Sequence, residues 1–349
     1  MRHPEDALDL LNGSLESAAL AAALEMGLFW ILDDHPQSLA SIADTLGIPH
    51  RRCGYWLQLL AQAGLVEERG DVFRPSPAAR AGILSRFTRD TWAFLAFEAR
   101  ERYPAGIDLT LAIRARTAPT SQGSREEPYV TLMAADAERA RRFTRMLYEL
   151  HGPLADEISR RLDLTGMTRL LDVGGGSGVV SLALVRRHPS LTAVVVDIPN
   201  VCEAGRTIAA EHGLEDRVTY HAADLSSDAL PTGFDFAIMC DVGTFSQAIF
   251  RRIGAALNEG SRFVVVDDLA PRRGVAPDSR ATWALARSLA DAGYEVPTLD
   301  DVQQVLSASG FQVLGVEQLN VPGERDSFVV VEAAKQQREK PHPPLRAPR

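Results

Sequence analysis

The sequence predicts an α/β protein: a doubly wound, seven-stranded sheet with an antiparallel last strand, preceded by a domain of helices and one hairpin. Apolar residues recur at helical spacing up to about residue 165, beyond which short β-rich runs alternate with helical patterns. At Leu170–Gly178 a glycine-rich turn joins one such run to a helix. Hydrophobic residues make up 46% of the 349 and charged residues 24%, so the chain can bury sizeable cores without cross-links.

The N-terminal part opens with an Ala/Leu-rich stretch at 11–32, read as a buried helix pair because Glu16 and Glu25 interrupt it as a membrane span. Ser38–Gly47 reads as a short helix with a Ser cap and a Gly stop. Pro49–Gly64 reads as a third helix, with Trp56, Leu57, Leu59 and Leu60 on one face. Leu65–Phe73 reads as a hairpin turning at Gly70-Asp71. Helix, helix, helix, hairpin is a winged-helix pattern. Residues 88–161 are mostly helical, with a polar loop at Ala118–Pro128.

In the second part, strands are expected at Thr168–Val173, Thr192–Asp197, Val218–His221, Asp235–Cys240, Arg262–Asp268, Phe311–Gln318 and Ser327–Glu332. Helices are expected between the first six. The last two lie too close for a helix and should form a hairpin through Pro322–Arg325. The result is a Rossmann-like sheet. The basic, Pro-rich tail, 336–349, is expected to lack fixed structure.

Composition excludes several functions. A net charge of −9 argues against nucleic acid as a partner. The N-terminus MRHPEDALDL has acids where a signal peptide has basic and apolar residues, and no membrane span is expected. Cys53, Cys202 and Cys240 form no CxxC, which suits a reducing cytoplasm and speaks against a metal site.

The chemistry is carried by Leu170-Leu-Asp-Val-Gly-Gly-Gly-Ser-Gly178. A dinucleotide turn, G-x-G-x-x-G, fails here because counting from Gly174 and Gly176 puts Val179 at the third position. What stands is D-x-G-x-G-x-G, with Asp172 leading Gly174, Gly176 and Gly178. A carboxylate there would repel pyrophosphate and suits a ligand with an ammonium group, such as S-adenosyl-L-methionine. Asp197 closes the second strand, where a carboxylate can accept both ribose hydroxyls. Asp224, beside Leu225, follows the third strand, within reach of an adenine amino group. The bland alternative is that Asp197 and Asp224 only cap helices.

These motifs resemble the small-molecule O-methyltransferases that include the caffeic acid, acetylserotonin, hydroxyneurosporene and anthracycline enzymes. The resemblance spans residues 10–335 and rests on Leu28-Phe29, Phe143–Met146, Leu171–Gly178, Asp197-Ile198-Pro-Asn-Val201 and Ser309-Gly310-Phe311. It implies four regions: a winged-helix dimerisation domain at 1–85, a helical linker and substrate lid at 86–164, a cofactor domain at 165–335 and the tail. It implies a homodimer through the N-terminal domain, a small-molecule substrate and a cytoplasmic location. Cys240 and Asp241 would border the cofactor, and Met146, Trp283 and Tyr103 would line the substrate.

The family's catalytic His position falls on Thr244, which cannot serve as a base near neutral pH. Asp267 matches one family acid, and Glu295 lies near the position of another. Asp267, Asp241, Glu295 and His151 are therefore alternative bases. The reading is methyl transfer to oxygen, nitrogen or carbon of an aromatic or polyketide-like metabolite. The rivals are a retained cofactor serving hydroxylation, decarboxylation or cyclisation, and a winged-helix regulator sensing a nucleoside.

Overall fold

The computed structural model describes residues 5–107, 109–115, 129–277, 280–291, 293–322 and 327–336, and only the backbone of 5–9, 12, 102–107 and 290. The loop expected at Ala118–Pro128, most of the turn at Pro322–Arg325 and nearly all of the tail lie outside them. The chain divides into two compact units, Met1–Arg125 and Glu126–Arg349.

In the first unit, helix α1 (Glu5–Met26) and α2 (Leu28–Asp34) are separated by Gly27 at φ 74°, a left-handed conformation that stops the helix. The pair is bent by 59°, and no single helix among the described residues is long and apolar enough to cross a membrane. Helix α3 (Leu39–Leu46) has the expected ends: the Ser38 side chain accepts from Ser41 N, and Gly47 takes φ 66°. Helix α4 (His50–Gln62) buries Cys53, Leu57 and Leu60. Trp56, half-buried, donates its indole N–H to Ala19 O at 3.1 Å. Strands β2 (Val66–Arg69) and β3 (Val72–Pro75) form the hairpin, and β1 (Gln37–Ser38) pairs with β3 to make the wing. A short helix α5 (Pro77–Ala79), continued by a π turn, leads into α6 (Arg89–Ile107) and α7 (Leu109–Arg114). Leu10, Leu11 and Leu15 of α1 are exposed at 75%, 77% and 68%, too apolar a row for solvent alone.

The second unit begins with helices α8 (Tyr129–Ala135), α9 (Ala137–Leu150) and α10 (Gly152–Arg161). The sheet follows: β4 (Arg169–Val173), α11 (Val179–Arg187), β5 (Thr192–Asp197), α12 (Pro199–Glu211), β6 (Val218–Ala222), β7 (Phe234–Cys240), α13 (Gln247–Ala256), β8 (Leu257–Asp267), α14 (Ala281–Ala290), α15 (Leu299–Ala308), β9 (Phe311–Asn320) and β10 (Ser327–Lys335). The strand order is β6-β5-β4-β7-β8-β10-β9. The first five run parallel, and β10 inserts antiparallel between β8 and β9. Alternate strand residues face opposite layers. Leu170, Val195, Phe236 and Val264 pack with α10, α11 and α12, while Leu171, Val196, Ala237 and Val265 pack with α13 and α15.

Two expectations need correction. No helix joins β6 to β7: residues 223–233 form a loop with a turn and bend at 225–228. The Asp224 carboxylate takes the backbone N–H and the hydroxyl of Ser226, and Pro231 lacks an N–H, so the chain has better partners than a helix would offer. Strand β8 starts five residues earlier than expected, at Leu257, because Gly260 (φ 76°) permits a bulge that realigns it on β7.

Candidate active site

Strand β4 carries Asp172 to the edge where the parallel strands end, and the chain then turns through Gly174, Gly176 and Gly178 at φ 67°, 54° and 73°. These angles explain the glycines, because a Cβ is strained in that region. The turn is also crowded. A Cβ on Gly175 would lie 2.4 Å from Asp172 Cγ, and one on Gly178 would lie 2.5 Å from the Tyr220 hydroxyl. Tyr220, from β6, props the turn by donating to Ser177 O at 2.8 Å. A Cβ on Gly174 would meet Val242 at 2.9 Å and Leu225 at 3.6 Å, so the tips of β6 and β7 both touch the turn. At Gly176 the same position faces open space.

Two buried carboxylates serve this turn. Asp172 Oδ2 accepts the Ser181 hydroxyl at 2.7 Å, while its Oδ1 is buried without a partner. Asp197 Oδ2 accepts Gly176 N–H at 2.9 Å and its Oδ1 accepts Ile198 N–H at 2.8 Å, tying the end of β5 to the turn. Burial pushes both carboxyls up to about 6, against the hydrogen bonds that favour their charge. Asp224 sits at the tip of β6 but is exposed, and its Oδ1 is held by Ser226, which lowers its carboxyl below the usual range.

A second cluster lies at the ends of β7 and β8. Beyond Cys240, Asp241 takes φ 52° and is the one non-glycine residue with positive φ among those described. Asp241 Oδ2 lies 3.2 Å from His151 Nε2, at the junction of α9 and α10. Its Oδ1 is bound by the Arg280 guanidinium from the start of α14. Arg280 also approaches Asp267 Oδ1 at 3.7 Å and Asp268 Oδ2 at 3.3 Å. Asp267 Oδ2 accepts Gly243 N–H at 3.1 Å. Burial works against the charge of Asp241, but the His151 hydrogen bond and the Arg280 charge outweigh it and hold that carboxyl low. Burial and the neighbouring Asp241 push Asp267 up to about 6. Burial first, then the three nearby carboxylates, push the Cys240 thiol well up, which makes it a poor nucleophile.

The structure thus brings His151, Asp241 and Asp267 together, and the Glu295 carboxylate pairs elsewhere. Thr244 is exposed on the loop after β7. Glu295 is exposed and its carboxylate pairs with Arg273 at 3.5 Å on the surface. Met146 is buried on α9. Trp283 is 37% exposed, edge-on to Tyr294 with ring centroids 5.5 Å apart and with Arg280 over its face at 5.4 Å. The Tyr103 side chain lies outside those described. Arg280, Ser181 and Tyr220 were not singled out from sequence. Ser181 left a signal, being the one polar residue in the apolar run Val179–Val185. Arg280 left none, since its partners lie 12 to 39 residues away.

Comparison with known proteins agrees with this fold. Residues 122–312 match the O-methyltransferase domain, and residues 8–83 match the O-methyltransferase dimerisation domain. The N,N-dimethyltransferase OxyT of Streptomyces rimosus is 29% identical over 265 residues, 74% of this chain and 77% of the relative. The 3-hydroxy-5-methyl-1-naphthoate 3-O-methyltransferase of Streptomyces sahachiroi is 32% identical over 234 residues, 66% of each protein. Among solved structures, "PigF with SAH" matches the fold at a TM-score of 0.81 and 20% identity, over 95% of this chain and 100% of that one.

Proposed function

The chain belongs to the O-methyltransferase family and is an S-adenosylmethionine-dependent methyltransferase, and from that premise we propose that it methylates a small aromatic or polyketide-like secondary metabolite. The observation that carries the reading is the cradle at the end of β4: an unpartnered, buried Asp172 oxygen beside a turn whose Gly176 opens on free space. That cradle fits a cationic amino-acid ligand, because a buried carboxylate oxygen without a donor is costly until a positive group supplies one. S-adenosylmethionine supplies an electrophilic methyl group on a sulfonium.

The chain's own residues then do the following. Asp172 receives the ammonium group. Asp197, already fixed by Gly176 and Ile198, offers its remaining acceptor capacity to the ribose hydroxyls, with Ile198 beside it. Asp224 and Leu225 flank the adenine from the tip of β6. Cys240 and Asp241 border the methyl-bearing end, and Trp283 and Met146 contribute to the acceptor's surroundings. Rate enhancement comes mainly from holding acceptor and methyl group in line. The names of the relatives, one an N- and one an O-methyltransferase, support methyl transfer over hydroxylation, decarboxylation or cyclisation.

The region reading is part of the same proposal: dimerisation at 1–85, linker and lid at 86–164, cofactor binding at 165–335. The exposed leucines of α1 support a homodimer, since a second copy would cover them. The acidic balance supports an enzyme that does not bind nucleic acid, and the separate cysteines, with no CxxC, support a reducing cytoplasm.

Cofactor affinity is expected to depend on pH. Both carboxyls stand at about 6 in the free chain, so below that Asp172 loses the charge its cation needs and Asp197 the ionised acceptor offered to the ribose. Affinity should therefore be full above pH 7 and fall on the order of tenfold per coupled carboxyl between pH 7 and pH 5. Equilibrium dialysis of S-adenosylhomocysteine across that range reads it, and a flat profile counts against the site.

The function itself is tested with methyl-labelled S-adenosylmethionine and a panel of hydroxynaphthoates, other phenols and aromatic amines. Label in the product is expected. A product formed without label would overturn the reading.

A further inference from the structure

The residue at 244 leaves the reaction without its usual base, yet the fold builds a histidine–carboxylate pair elsewhere at the same sheet edge. His151 sits where α9 ends and α10 begins, and its Nε2 faces Asp241 Oδ2 at 3.2 Å. An ionised carboxylate only accepts, so the imidazole proton lies on Nε2 and the Nδ1 lone pair is left available. Nδ1 has no hydrogen-bond partner among the described residues, and the side chain is 25% exposed. Asp241 adopts a left-handed backbone that costs a non-glycine residue energy. That conformation turns one carboxylate toward two partners, His151 on one oxygen and Arg280 on the other. Arg280 is fixed in turn by Asp267, Asp268 and the Trp283 ring. The next residue, Val242, packs on Gly174 of the cofactor turn, so the pair adjoins the cofactor's cradle.

Resting on the methyltransferase reading, we propose that His151 is the general base for the acceptor, with Asp241 and Arg280 as its positioning residues. His151 Nδ1 takes the proton of the acceptor's O–H bond, and the electron pair of that bond stays on the oxygen. That pair forms the new bond to the methyl carbon, and the carbon–sulfur pair leaves with sulfur as a neutral thioether. The imidazolium formed at His151 is balanced by Asp241 and returns its proton to solvent. Arg280 keeps Asp241 ionised and aimed, so it acts through Asp241 and not on the acceptor.

The test has a readout that needs neither cofactor nor acceptor. In the full chain with 15N-labelled histidine, long-range proton–nitrogen spectra identify His151 by comparison with His151→Gln. The neutral ring is expected to carry its proton on Nε2, as a hydrogen-bonded resonance protected from exchange. That resonance is expected to vanish in Asp241→Gly, a substitution the left-handed backbone accommodates. A proton on Nδ1, or an Nε2 proton that survives in Asp241→Gly, overturns the proposal.

The kinetic arm uses the acceptor that the wild type methylates, with a hydroxynaphthoate as first probe. His151→Gln should lose 10²–10⁴-fold in kcat, the usual span for a lost general base, with S-adenosylhomocysteine affinity unchanged within about twofold. Arg280→Lys should retain more of kcat than Arg280→Met, at similar KM. His151→Gln within threefold of wild type overturns the assignment. A wild type that binds cofactor yet transfers no methyl group to any acceptor contradicts the methyltransferase reading instead, and the spectra still decide the pair.

Discussion

Arg280→Met should lower folding stability by about 3–5 kcal/mol, the usual cost of removing one partner from a buried ionic cluster. Methionine keeps much of the stem's volume and removes the charge, so the loss reads electrostatics more than packing. Arg280 is 18% exposed, and it is the cation that Asp241, Asp267 and Asp268 share. Without it three carboxylates crowd one corner between β7, β8 and α14. The loss should depend on pH in a defined direction. Asp267 already stands at about 6, from burial and from the charge of Asp241, whereas an unfolded aspartate titrates near 4. A group raised on folding destabilises the fold in its charged form. The penalty is therefore complete above pH of about 6 and shrinks as acidification toward about 4 protonates Asp267. Urea unfolding at pH 8 and pH 5 measures it. Arg280→Met, Asp241→Asn together should recover part of the loss, and a loss below about 1 kcal/mol at pH 8 would mean that Arg280 does not hold these acids.

Asp197→Ala should weaken S-adenosylhomocysteine binding by two to four orders of magnitude, because the carboxylate does two jobs. It is the acceptor offered to the ribose, and it anchors the turn through Gly176 N–H at 2.9 Å. Charge-assisted hydrogen bonds contribute roughly 1.5–3 kcal/mol each, and two of them set that range. Asp197→Asn keeps an acceptor oxygen and loses the charge, so it should fall between wild type and Asp197→Ala. Asn turns its NH2 toward one of the two backbone N–H groups that Asp197 accepts, so urea unfolding of both variants is read beside their affinities. That separates lost binding from lost folding. Equilibrium dialysis gives the affinity ratios, and a change below about threefold in Asp197→Ala would remove Asp197 from the site.

Most of the fold was legible because its signals are local and periodic. Leu170 and Leu171 alternate between opposite faces of the sheet, as a central strand demands. Ser38 and Gly47 mark the ends of α3 by cap chemistry that needs no tertiary information. The glycines of the turn announce their positive φ angles because few other residues tolerate them. The connection from β6 to β7 misled because its spacing leaves room for a helix. Its fate was decided by the Asp224 side chain competing for backbone N–H groups. The site was half legible for a similar reason. Asp172 and Asp197 stand at strand ends, positions a pattern can find. The link of His151 to Asp241 spans 90 residues and needs an unusual backbone at Asp241, which no local pattern encodes. Glu295 illustrates the converse. It lies near the right place in sequence, but Arg273 draws its carboxylate into a surface pair.

The central claim is that S-adenosylmethionine sits in the cradle formed by Asp172, the glycine turn and Asp197. Calorimetric titration of S-adenosylhomocysteine into the cofactor-free chain tests it most directly, run near pH 6 in two buffers of different ionisation heat and again at pH 8. One equivalent should bind per chain. The heats should differ between buffers near pH 6, where binding drives protons off the two carboxyls, and agree at pH 8. No binding, or binding at pH 6 that releases no protons, would contradict it.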